Sequence, residues 1–364
     1  MRVGICGAGQ LGRMLALAGH PIGVTCVCYA RSADEPGCAV GEFEIGAWDD
    51  EPALDRFAAR IDVATYEFEN VPLGAVQRIA ATRPVAPSLL ALETAADRVH
   101  EKTLFRRLGI ETAPFAAIDS QEDLERAVST MGLPAVLKTR RMGYDGKGQR
   151  VLRAPEDVAG AFAALGSRPC ILEGFVAFER ELSVIGVRGR DGTTRVYPLF
   201  ANTHEDAILR VTIAPAPGTS PQLVDAAHRA ITSILGALDY VGALALELFQ
   251  VGDRVLANEM APRVHNTGHL TIEAADTSQF ENHLRAVAGL PLGSTEIQGH
   301  AGMVNLIGTL PDPASLLAIP GAHLHLYGKA PRPDRKVGHV TVTALDPGTR
   351  DARLEDVLRV VRAS

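Results

Sequence analysis

The sequence has few cysteines, no long apolar run and no excess of positive charge. Each of these features argues against a class of protein. The five cysteines are odd in number and include no C-x-x-C pair, so buried, reduced thiols are the simplest interpretation. No apolar run approaches the length of a membrane-spanning helix. The net charge of −7 argues against a general nucleic-acid-binding protein, which is usually basic. We therefore expect neither a membrane nor a nucleic acid as a partner.

The remaining composition is that of a folded protein with more than one domain. A chain of 364 residues is too long for one ordinary core, and 46% hydrophobic with 22% charged residues is typical of globular proteins. The first seven residues enter a strand-like run directly, without the charged and apolar regions of a secretory signal. Together with the reduced thiols, this favours a cytoplasmic location.

Strand and helix patterns alternate through the first 95 residues. A helix is predicted at residues 11–18, and strands are predicted at residues 3–6, 23–29, 62–66 and 84–87. Strands that alternate with helices form a parallel sheet with helices on its faces. We therefore predict a doubly wound α/β domain over residues 1–95.

Beyond residue 95 the pattern changes twice. Helices are predicted at 97–108, at 120–131 with Ser120 as N-cap, and at 155–165; strands are predicted at 114–118, 135–138, 149–152 and 170–174. From residue 181 the chain becomes β-rich, with strands predicted at 182–188, 196–200, 242–251 and 254–259 around a helix at 221–238. After residue 290, short strands, turns and prolines predict a small β-rich segment that packs as a lid or cap.

A glycine-rich turn at residues 7–12 (GAGQLG) joins the first predicted strand to the first predicted helix. Such a turn can hold a phosphate, because glycines allow close approach and a helix N-terminus offers free N–H groups. A dinucleotide site also needs an acidic residue at the end of the second strand, where this chain has Arg31, which would suit a 2′-phosphate. The motif alone leaves open a phosphate site, an NADP site and a tight turn without a ligand.

A second glycine-rich segment, KTRRMGYDGKGQ at residues 138–149, lies between two predicted strands. Its backbone N–H groups could fold over phosphates, while Lys138 supplies a fixed positive charge. It is not a Walker loop, because the Gly-Lys-Ser/Thr order is absent. A flexible surface hairpin is the alternative, but three glycines and several cations favour a phosphate-binding hairpin.

Two carboxylates and an amide fall on a pair of predicted strands. Glu247 interrupts an otherwise apolar strand, and Asn258 and Glu259 end the next one. An ionised carboxylate in such a strand is costly unless it is paired or bound to a metal. These oxygens could hold one or two Mg²⁺ ions beside nucleotide phosphates. A buried salt bridge to Arg180 or Arg263 is the alternative.

Three further segments are directed toward anions. Arg263, just after the acidic strand, could clamp a transferring carboxyl or phosphoryl group. Residues 66–70 (YEFEN) follow a strand at the edge where open α/β sheets bind ligands. The last segment carries a basic group for which an exposed loop is the alternative: Lys329, Arg332, Arg335 and Lys336.

Together these segments resemble the ATP-grasp superfamily, and within it most closely the N5-carboxyaminoimidazole ribonucleotide synthases. The resemblance covers nearly the whole chain, although Ala8 replaces the middle one of three glycines in the family's first turn. It rests on motifs that follow the family's order: GAGQLGRM (7–14), YEFENVP (66–72), DRVHEK (97–102), GYDGKGQ (143–149), NEMAP (258–262), RVHNTGH (263–269) and RKVGH (335–339). It implies a central ATP-grasp fold of two α+β subdomains at residues 96–290, with a lid subdomain at about 112–178. It also implies a small C-terminal β-rich domain at residues 291–364.

The resemblance implies a carbon–nitrogen ligase of purine biosynthesis. Such an enzyme carboxylates 5-aminoimidazole ribonucleotide with bicarbonate, through carboxyphosphate, and releases ADP and phosphate. The implied cofactors are ATP and Mg²⁺, or Mn²⁺ in its place, and the implied assembly is a homodimer formed through the N-terminal domain.

Site residues carry over from the family by position. Those matching nucleotide-binding positions are Arg98, Lys138, Gly143, Tyr144, Asp145, Gly146, Lys147, Gly148, Gln149, Glu173, Gly174, Phe175, Val176, Glu181, His204, Asn258 and Glu259. Those matching the Mg²⁺ ligands are Glu247 and Glu259, and those around the carboxyl-transfer centre are Tyr144, Asp145, Lys147 and Arg263. Those near the ribonucleotide are Gln10, Leu11, Glu67, Lys329 and Arg335. Lys336 remains an alternative to Arg335, because this segment is one residue shorter than usual.

Three other functions compete with this one. A sister ATP-grasp transformylase would use formate and a glycinamide substrate. An NADP-linked oxidoreductase would use the first glycine turn but leave residues 138–149 and the acidic strands unexplained. A nucleotide-sensing scaffold would bind ATP and Mg²⁺ without catalysis.

Overall fold

The computed structural model describes residues 1–143 and 147–364, and the predicted site residues Tyr144, Asp145 and Gly146 lie outside them. Three sheets organise the described residues: two of four strands and one of nine. The mixed α/β architecture confirms the predicted fold class, with a parallel sheet at the N-terminal end. None of the described helices is long and apolar enough to cross a membrane.

The first sheet is parallel, with the strand order β3-β2-β1-β4. Its strands and helices are β1 (Arg2–Cys6), α1 (Gln10–Gly19), β2 (Thr25–Ala30), β3 (Glu42–Ile45), α2 (Glu51–Ala59), β4 (Val63–Tyr66), α3 (Leu73–Ala80) and α4 (Leu89–Ala95). The predicted strands at 3–6, 23–29 and 62–66 are confirmed. Residues 84–87 form only one isolated bridge, between Ala64 and Val85, because prolines flank the pair. The edge strand β3 alternates charged and apolar residues and was not predicted.

The second sheet is antiparallel, with the order β5-β8-β6-β7. It follows helix α5 (Arg98–Arg107) and is built from β5 (Phe115–Ile118), α6 (Gln121–Met131), β6 (Ala135–Thr139), β7 (Gln149–Leu152), α7 (Pro155–Val158), α8 (Ala161–Ala164) and β8 (Cys170–Gly174). The Ser120 hydroxyl caps α6 by accepting from the Asp123 N–H at 3.1 Å, as predicted. The single helix predicted at 155–165 is wrong, because Gly160 adopts φ +72° and divides it.

The third sheet is the largest, with the order β14-β13-β9-β11-β12-β15-β17-β16 and β10 paired to β9. Its first part contains β9 (Arg180–Arg188), β10 (Thr194–Val196), β11 (Phe200–Glu205), β12 (Ile208–Ala214), α9 (Pro221–Ala237), β13 (Gly242–Val251), β14 (Arg254–Ala261), α10 (Thr271–Ala274) and α11 (Gln279–Ala288). The strand predicted at 196–200 is wrong: the chain leaves β10 there, buries Tyr197 and Leu199, and starts β11 at Phe200.

The C-terminal segment continues this sheet, so the predicted lid or cap is wrong. It contains β15 (His300–Ile307), α12 (Pro313–Leu317), β16 (Ala322–Leu326), β17 (Lys336–Ala344) and α13 (Pro347–Arg362). Strand β15 pairs with β12 over Val211–Ala214, and β17 pairs with β15. The loop between β16 and β17 is thereby fixed at one edge of a sheet that also holds the acidic strands.

A continuous apolar core joins the first sheet to the third. Val3 and Ile5 of β1 share this core with Ile185 of β9, Ala243 of β13 and Leu284 of α11. Burying such apolar surface is the main stabilising term in folding. The core therefore holds the carboxyl end of the parallel sheet in a fixed position over the acidic hairpin.

Candidate active site

Two adjoining cavities lie where the three sheets meet. The larger has a volume of about 880 Å³ and the smaller about 330 Å³. Both are lined by Arg98, Lys147, Glu247, Glu259 and Lys336, so the acidic pair lies on their common boundary. These side chains therefore lie between the two cavities.

The smaller cavity gathers most of the predicted nucleotide-binding residues. In addition to the shared residues, its lining contains Lys138, Gln149, Glu173, Gly174, Phe175, Val176, Glu181, His204 and Asn258. Gly143 lies in the larger cavity, while Gly148 lines neither. Gly148 instead adopts φ +73°, and a Cβ there would lie 2.7 Å from the Thr139 hydroxyl, so its function is to allow the turn.

The two strands predicted to flank the glycine-rich segment pair as a hairpin. Strands β6 and β7 pair antiparallel with Lys138 opposite Gln149, at the mouth of the loop. The Lys138 ammonium lies 3.1 Å from Glu173 Oε2 on the neighbouring strand β8. Lys138, Lys147 and Gln149 all line the smaller cavity, where phosphates would need them.

The acidic residues face each other across the β13–β14 hairpin. Glu247 is the direct cross-strand partner of Glu259, and the register shifts between Glu247 and Leu248. Leu248 pairs with Ala257, so Asn258 is the extra residue of a β-bulge. A bulge redirects a side chain that strict alternation would send to the opposite face. This explains how the adjacent residues Asn258 and Glu259 both line the smaller cavity.

The oxygen atoms of this hairpin fit a divalent cation bound together with phosphates. Directly opposed like charges are destabilising without a counter-ion. The buried Asn258 Oδ1 makes no hydrogen bond within the part of the chain that the structure describes. Over the same residues, no group of three or more His, Cys, Asp or Glu side chains could hold a metal alone. Mg²⁺ is usually held by one or two carboxylates and completes its shell with phosphate oxygens and water, so two glutamates are sufficient.

Arg98 and Glu101 connect helix α5 to the acidic strand. The Arg98 guanidinium is paired with Glu259 and also donates to the Gly143 carbonyl at 3.4 Å. Burial opposes the charged form of Glu259, but Arg98 and Lys138 hold its pKa at about 2. Burial and the nearby Glu259 raise the pKa of Glu101 to about 8, and Glu101 accepts from the Met260 N–H at 2.6 Å. Glu259 is therefore ionised at neutral pH. Glu101 instead anchors strand β14 through its hydrogen bond with the Met260 N–H.

The larger cavity gathers the residues predicted for the second substrate. Its lining contains the predicted Gln10, Leu11, Glu67, Arg263, Lys329 and Arg335. Lys336 lines it as well, so both alternatives for the basic position reach the cavity. Residues from the first sheet and from the β16–β17 loop thus meet here, although Glu67 and Lys329 lie far apart in the sequence.

Glu67 occupies the N-terminus of α1. Its carboxylate accepts from the Gly9 N–H and, at 2.6 Å, from the Gly12 N–H. Burial raises the pKa of Glu67, and these two hydrogen bonds oppose that shift. A phosphate or an NADP pyrophosphate at this turn would need the same N–H groups. Glu67 therefore already uses two of the N–H groups that such a ligand would need, and its hydrogen bonds fix the conformation of the turn. The geometry favours neither interpretation of the turn as a ligand site.

Replacing Glu67 with glutamine should therefore lower the free energy of unfolding by about 1–3 kcal/mol, because one amide oxygen cannot accept both buried N–H bonds. Urea unfolding followed by circular dichroism measures the change. Glu93→Gln, at an exposed position of α4, is the matched control and should be neutral. Equal stability of the two variants would contradict the assigned hydrogen bonds.

Lys329 and Arg263 are held by partners from the first sheet. Lys329 is hydrogen-bonded to the Gln10 side chain, and burial together with Arg335 lowers the pKa of Lys329 to about 8. The Arg263 Nε donates to Glu69 Oε2 at 2.7 Å. Burial opposes the charged form of Glu69, but Arg263 lowers its pKa. An incoming phosphate would therefore meet a partly desolvated ammonium and a guanidinium already fixed in orientation.

Several residues of the site were not predicted. Glu69 accepts a hydrogen bond from Arg263 and so positions it. Glu101 and Lys102 are buried beneath the acidic strand β14. Asp97 accepts two hydrogen bonds from the Arg140 guanidinium, at 2.9 and 3.0 Å. Glu101 and Lys102 lie on the same helical face as the buried Leu104 and Phe105. Charged residues on an apolar face of a predicted helix are the signal that could have identified them.

The two joined cavities, the glycine-rich hairpin and the opposed glutamates define an ATP-grasp ligase, and the family models agree. Residues 103–280 match the ATP-grasp domain, residues 1–96 the ribonucleotide synthetase preATP-grasp domain, and residues 301–353 the phosphoribosylaminoimidazole carboxylase C-terminal domain.

Individual relatives narrow this class to one family. The chain is 50% identical over 363 residues to the N5-carboxyaminoimidazole ribonucleotide synthase of Pseudomonas aeruginosa, with 100% of each covered. The corresponding crystal structure from Thermus thermophilus is 52% identical, with a TM-score of 0.95 and 98% of each chain covered. That of Aspergillus clavatus, in complex with ADP and 5-aminoimidazole ribonucleotide, is 31% identical, with a TM-score of 0.91 and 100% and 99% covered. The chain belongs to the N5-carboxyaminoimidazole ribonucleotide synthase family.

Proposed function

We propose that this chain carboxylates the amine of 5-aminoimidazole ribonucleotide with bicarbonate, at the expense of ATP, in purine biosynthesis. The observation that carries the proposal is the position of Glu247 and Glu259 on the boundary of two cavities of different character. One cavity offers the glycine hairpin and Lys138 for a nucleotide. The other offers Lys329, Arg335 and Arg263 for a phosphorylated acceptor and a carboxylate.

The nucleotide lies in the smaller cavity in this proposal, with its phosphates between the hairpin and the acidic pair. Lys138 and Arg98 supply positive charge, and Asn258, Glu247 and Glu259 would hold Mg²⁺ or Mn²⁺. The metal would neutralise phosphate charge and align the terminal phosphoryl group. Glu181 and His204 complete the far wall, with His204 Nδ1 at 2.5 Å from Glu181 Oε2.

Bicarbonate must be activated because it is a poor electrophile. Its oxygen attacks the γ-phosphorus of ATP, ADP leaves, and carboxyphosphate forms. Carboxyphosphate then divides into phosphate and CO₂, and the acceptor's amine attacks the CO₂ carbon and loses a proton to give the carbamate. Arg263, fixed by Glu69, orients the carboxyl group, and exclusion of water from the bound reactants would protect the intermediate.

This route predicts where one oxygen atom goes. Bicarbonate labelled with ¹⁸O should deliver one labelled oxygen to each phosphate released, because the bridging oxygen stays on phosphorus. Mass spectrometry of the phosphate measures this transfer. Unlabelled phosphate would contradict carboxyphosphate, and turnover with formate and a glycinamide substrate in place of these substrates would assign the chain to transformylases.

Asp145 stays a prediction from the sequence, since it lies outside the described residues. We propose that it orients or deprotonates the acceptor amine. Asp145→Ala should therefore lower the turnover number more than the affinity for ADP, as expected for an interaction made mainly in the transition state. Steady-state kinetics with calorimetric ADP titration separates the two effects, and an equal loss of both would indicate a structural function.

Glu69 should matter through Arg263. Glu69→Gln keeps a hydrogen-bond acceptor but removes the charge that fixes the guanidinium, so we expect a roughly tenfold lower turnover number. ADP affinity should not change, because Glu69 lines only the larger cavity. Steady-state ADP release and calorimetry test both statements, and weaker ADP binding with unchanged turnover would contradict them.

The homodimer and the cytoplasmic location are proposals that rest on the sequence and its resemblance alone. Light scattering of the purified protein tests the dimer: we expect twice the chain mass of 38.6 kDa.

A further inference from the structure

Lys102 is a charged residue inside the protein for which the proposed mechanism has no use. It lies on α5, and only 1% of its surface is exposed. Its ammonium lies 3.3 Å from Glu173 Oε2 and donates to the Ala257 carbonyl of β14 at 3.3 Å. Burial lowers the pKa of Lys102, while Glu173 acts in the opposite direction. A buried ammonium is costly to keep, so its position calls for an explanation.

The same Glu173 oxygen also binds Lys138. The two ammonium groups, of Lys138 and Lys102, lie 3.1 and 3.3 Å from Glu173 Oε2. Glu173 is 3% exposed, and its other oxygen, Oε1, has no hydrogen-bond partner among the described residues. Two ammonium groups therefore share one carboxylate oxygen beside the nucleotide cavity.

A conflict would arise if Lys102 were absent. Lys138 would be the one lysine paired with Glu173, and turning toward a phosphate would leave a buried carboxylate unpaired. Breaking a buried ion pair in this way is strongly unfavourable. Nucleotide affinity would then be reduced by the loss of the Lys138–Glu173 contact.

We propose that Lys102 is a positioning residue for nucleotide binding, which neutralises Glu173 so that Lys138 is available to phosphate. The inference rests on the proposed function only in taking Lys138 as a phosphate ligand. Lys102 donates to the Ala257 carbonyl on β14, the strand that carries Glu259. The same ammonium pairs with Glu173 on the second sheet, so it connects that sheet to the acidic hairpin of the third. Lys102 thus acts on the nucleotide through Lys138 and touches no substrate.

A double-mutant cycle tests this relation. Lys102→Met keeps the length of the side chain and removes the charge, and Lys138→Met removes the proposed phosphate ligand. We expect each single variant to bind ADP about tenfold more weakly in calorimetry, because each loses the effect of one charge contact. The loss of ADP affinity in the double variant should be clearly smaller than the product of the two single losses, because Lys102 acts through Lys138.

Controls separate this effect from a general loss of structure. Arg107→Met removes a cation from an exposed position of the same helix and should bind ADP as the wild type does. Lys102→Arg, which retains the charge, should restore most of the ADP affinity that Lys102→Met loses. If Lys102→Met does not fold, Lys102→Gln, which can still donate to the Ala257 carbonyl, takes its place in the cycle.

The outcomes are distinct from those of the proposed function. Unchanged ADP affinity in a folded Lys102→Met, or a double variant whose loss is the product of the two single losses, would overturn the inference. ADP binding requires no second substrate, so the cycle is decided even if the wild type fails to carboxylate the ribonucleotide. That failure would instead overturn the proposed function.

Discussion

Glu259→Gln should reduce the rate of ADP formation by about 100- to 1,000-fold, which is the usual loss when one electrostatic contact to a transferring group is removed. Glu259 faces Glu247 across the hairpin and borders both cavities. The amide keeps the shape of the side chain but removes the negative charge that would bind the metal and that pairs with Arg98. The substitution would therefore remove a proposed metal ligand and the negative charge that pairs with Arg98.

Steady-state ADP release at saturating substrates measures this loss. Glu296→Gln, at an exposed position that lines neither cavity, is the matched control and should retain full activity. Raising the concentration of Mg²⁺ or Mn²⁺ should recover part of the rate if Glu259 is a metal ligand. A variant with wild-type turnover would contradict the assignment of the acidic pair.

Arg263→Lys should lower the turnover number about 100-fold while ADP affinity stays within a factor of about three, because an ammonium cannot reproduce the planar fork of a guanidinium. Arg263 lines the larger cavity, donates through Nε to Glu69 and through Nη1 to the Val264 carbonyl at 3.2 Å, and so can offer Nη2 to the carboxyl group. Lysine keeps the charge, so the test isolates geometry from electrostatics.

Arg254→Lys is the control for this experiment. It lies at the exposed start of β14, the strand that ends just before Arg263, in a surface pair with Glu111 at 3.0 Å. Exposed pairs contribute little, so this variant should behave as the wild type does. A fall in ADP affinity that matches the fall in turnover would place Arg263 among nucleotide ligands instead.

Local patterns predicted the parts of the site that lie within one hairpin. Lys138 and Gln149 were expected to flank a glycine loop, and Glu247 and Glu259 to lie on adjacent antiparallel strands; the pairings confirm both arrangements. Hairpin neighbours are close in sequence, so turn residues and alternation are sufficient to define them. The bulge at Asn258 was not predicted, because it depends on how the paired strands fit together.

The remaining wrong predictions involve residues that are distant in the sequence but adjacent in the fold. The C-terminal strands look short and are interrupted by prolines, yet β15 pairs with β12 from much earlier in the chain, and this pairing places Lys329 next to Gln10. The first glycine turn has the pattern of a phosphate site, but Glu67 from a different strand occupies its N–H groups. Local sequence does not specify which distant side chain will reach a helix N-terminus.

The most direct test of the central claim is an ADP-release assay with substrates omitted in turn. With ATP, Mg²⁺, bicarbonate and 5-aminoimidazole ribonucleotide present, we predict ADP and the carboxylated amine in equal amounts. ADP release should fall to background when either bicarbonate or the ribonucleotide is left out, because both take part in the proposed reaction. ADP release at an undiminished rate with ATP alone, or without bicarbonate, would contradict the account.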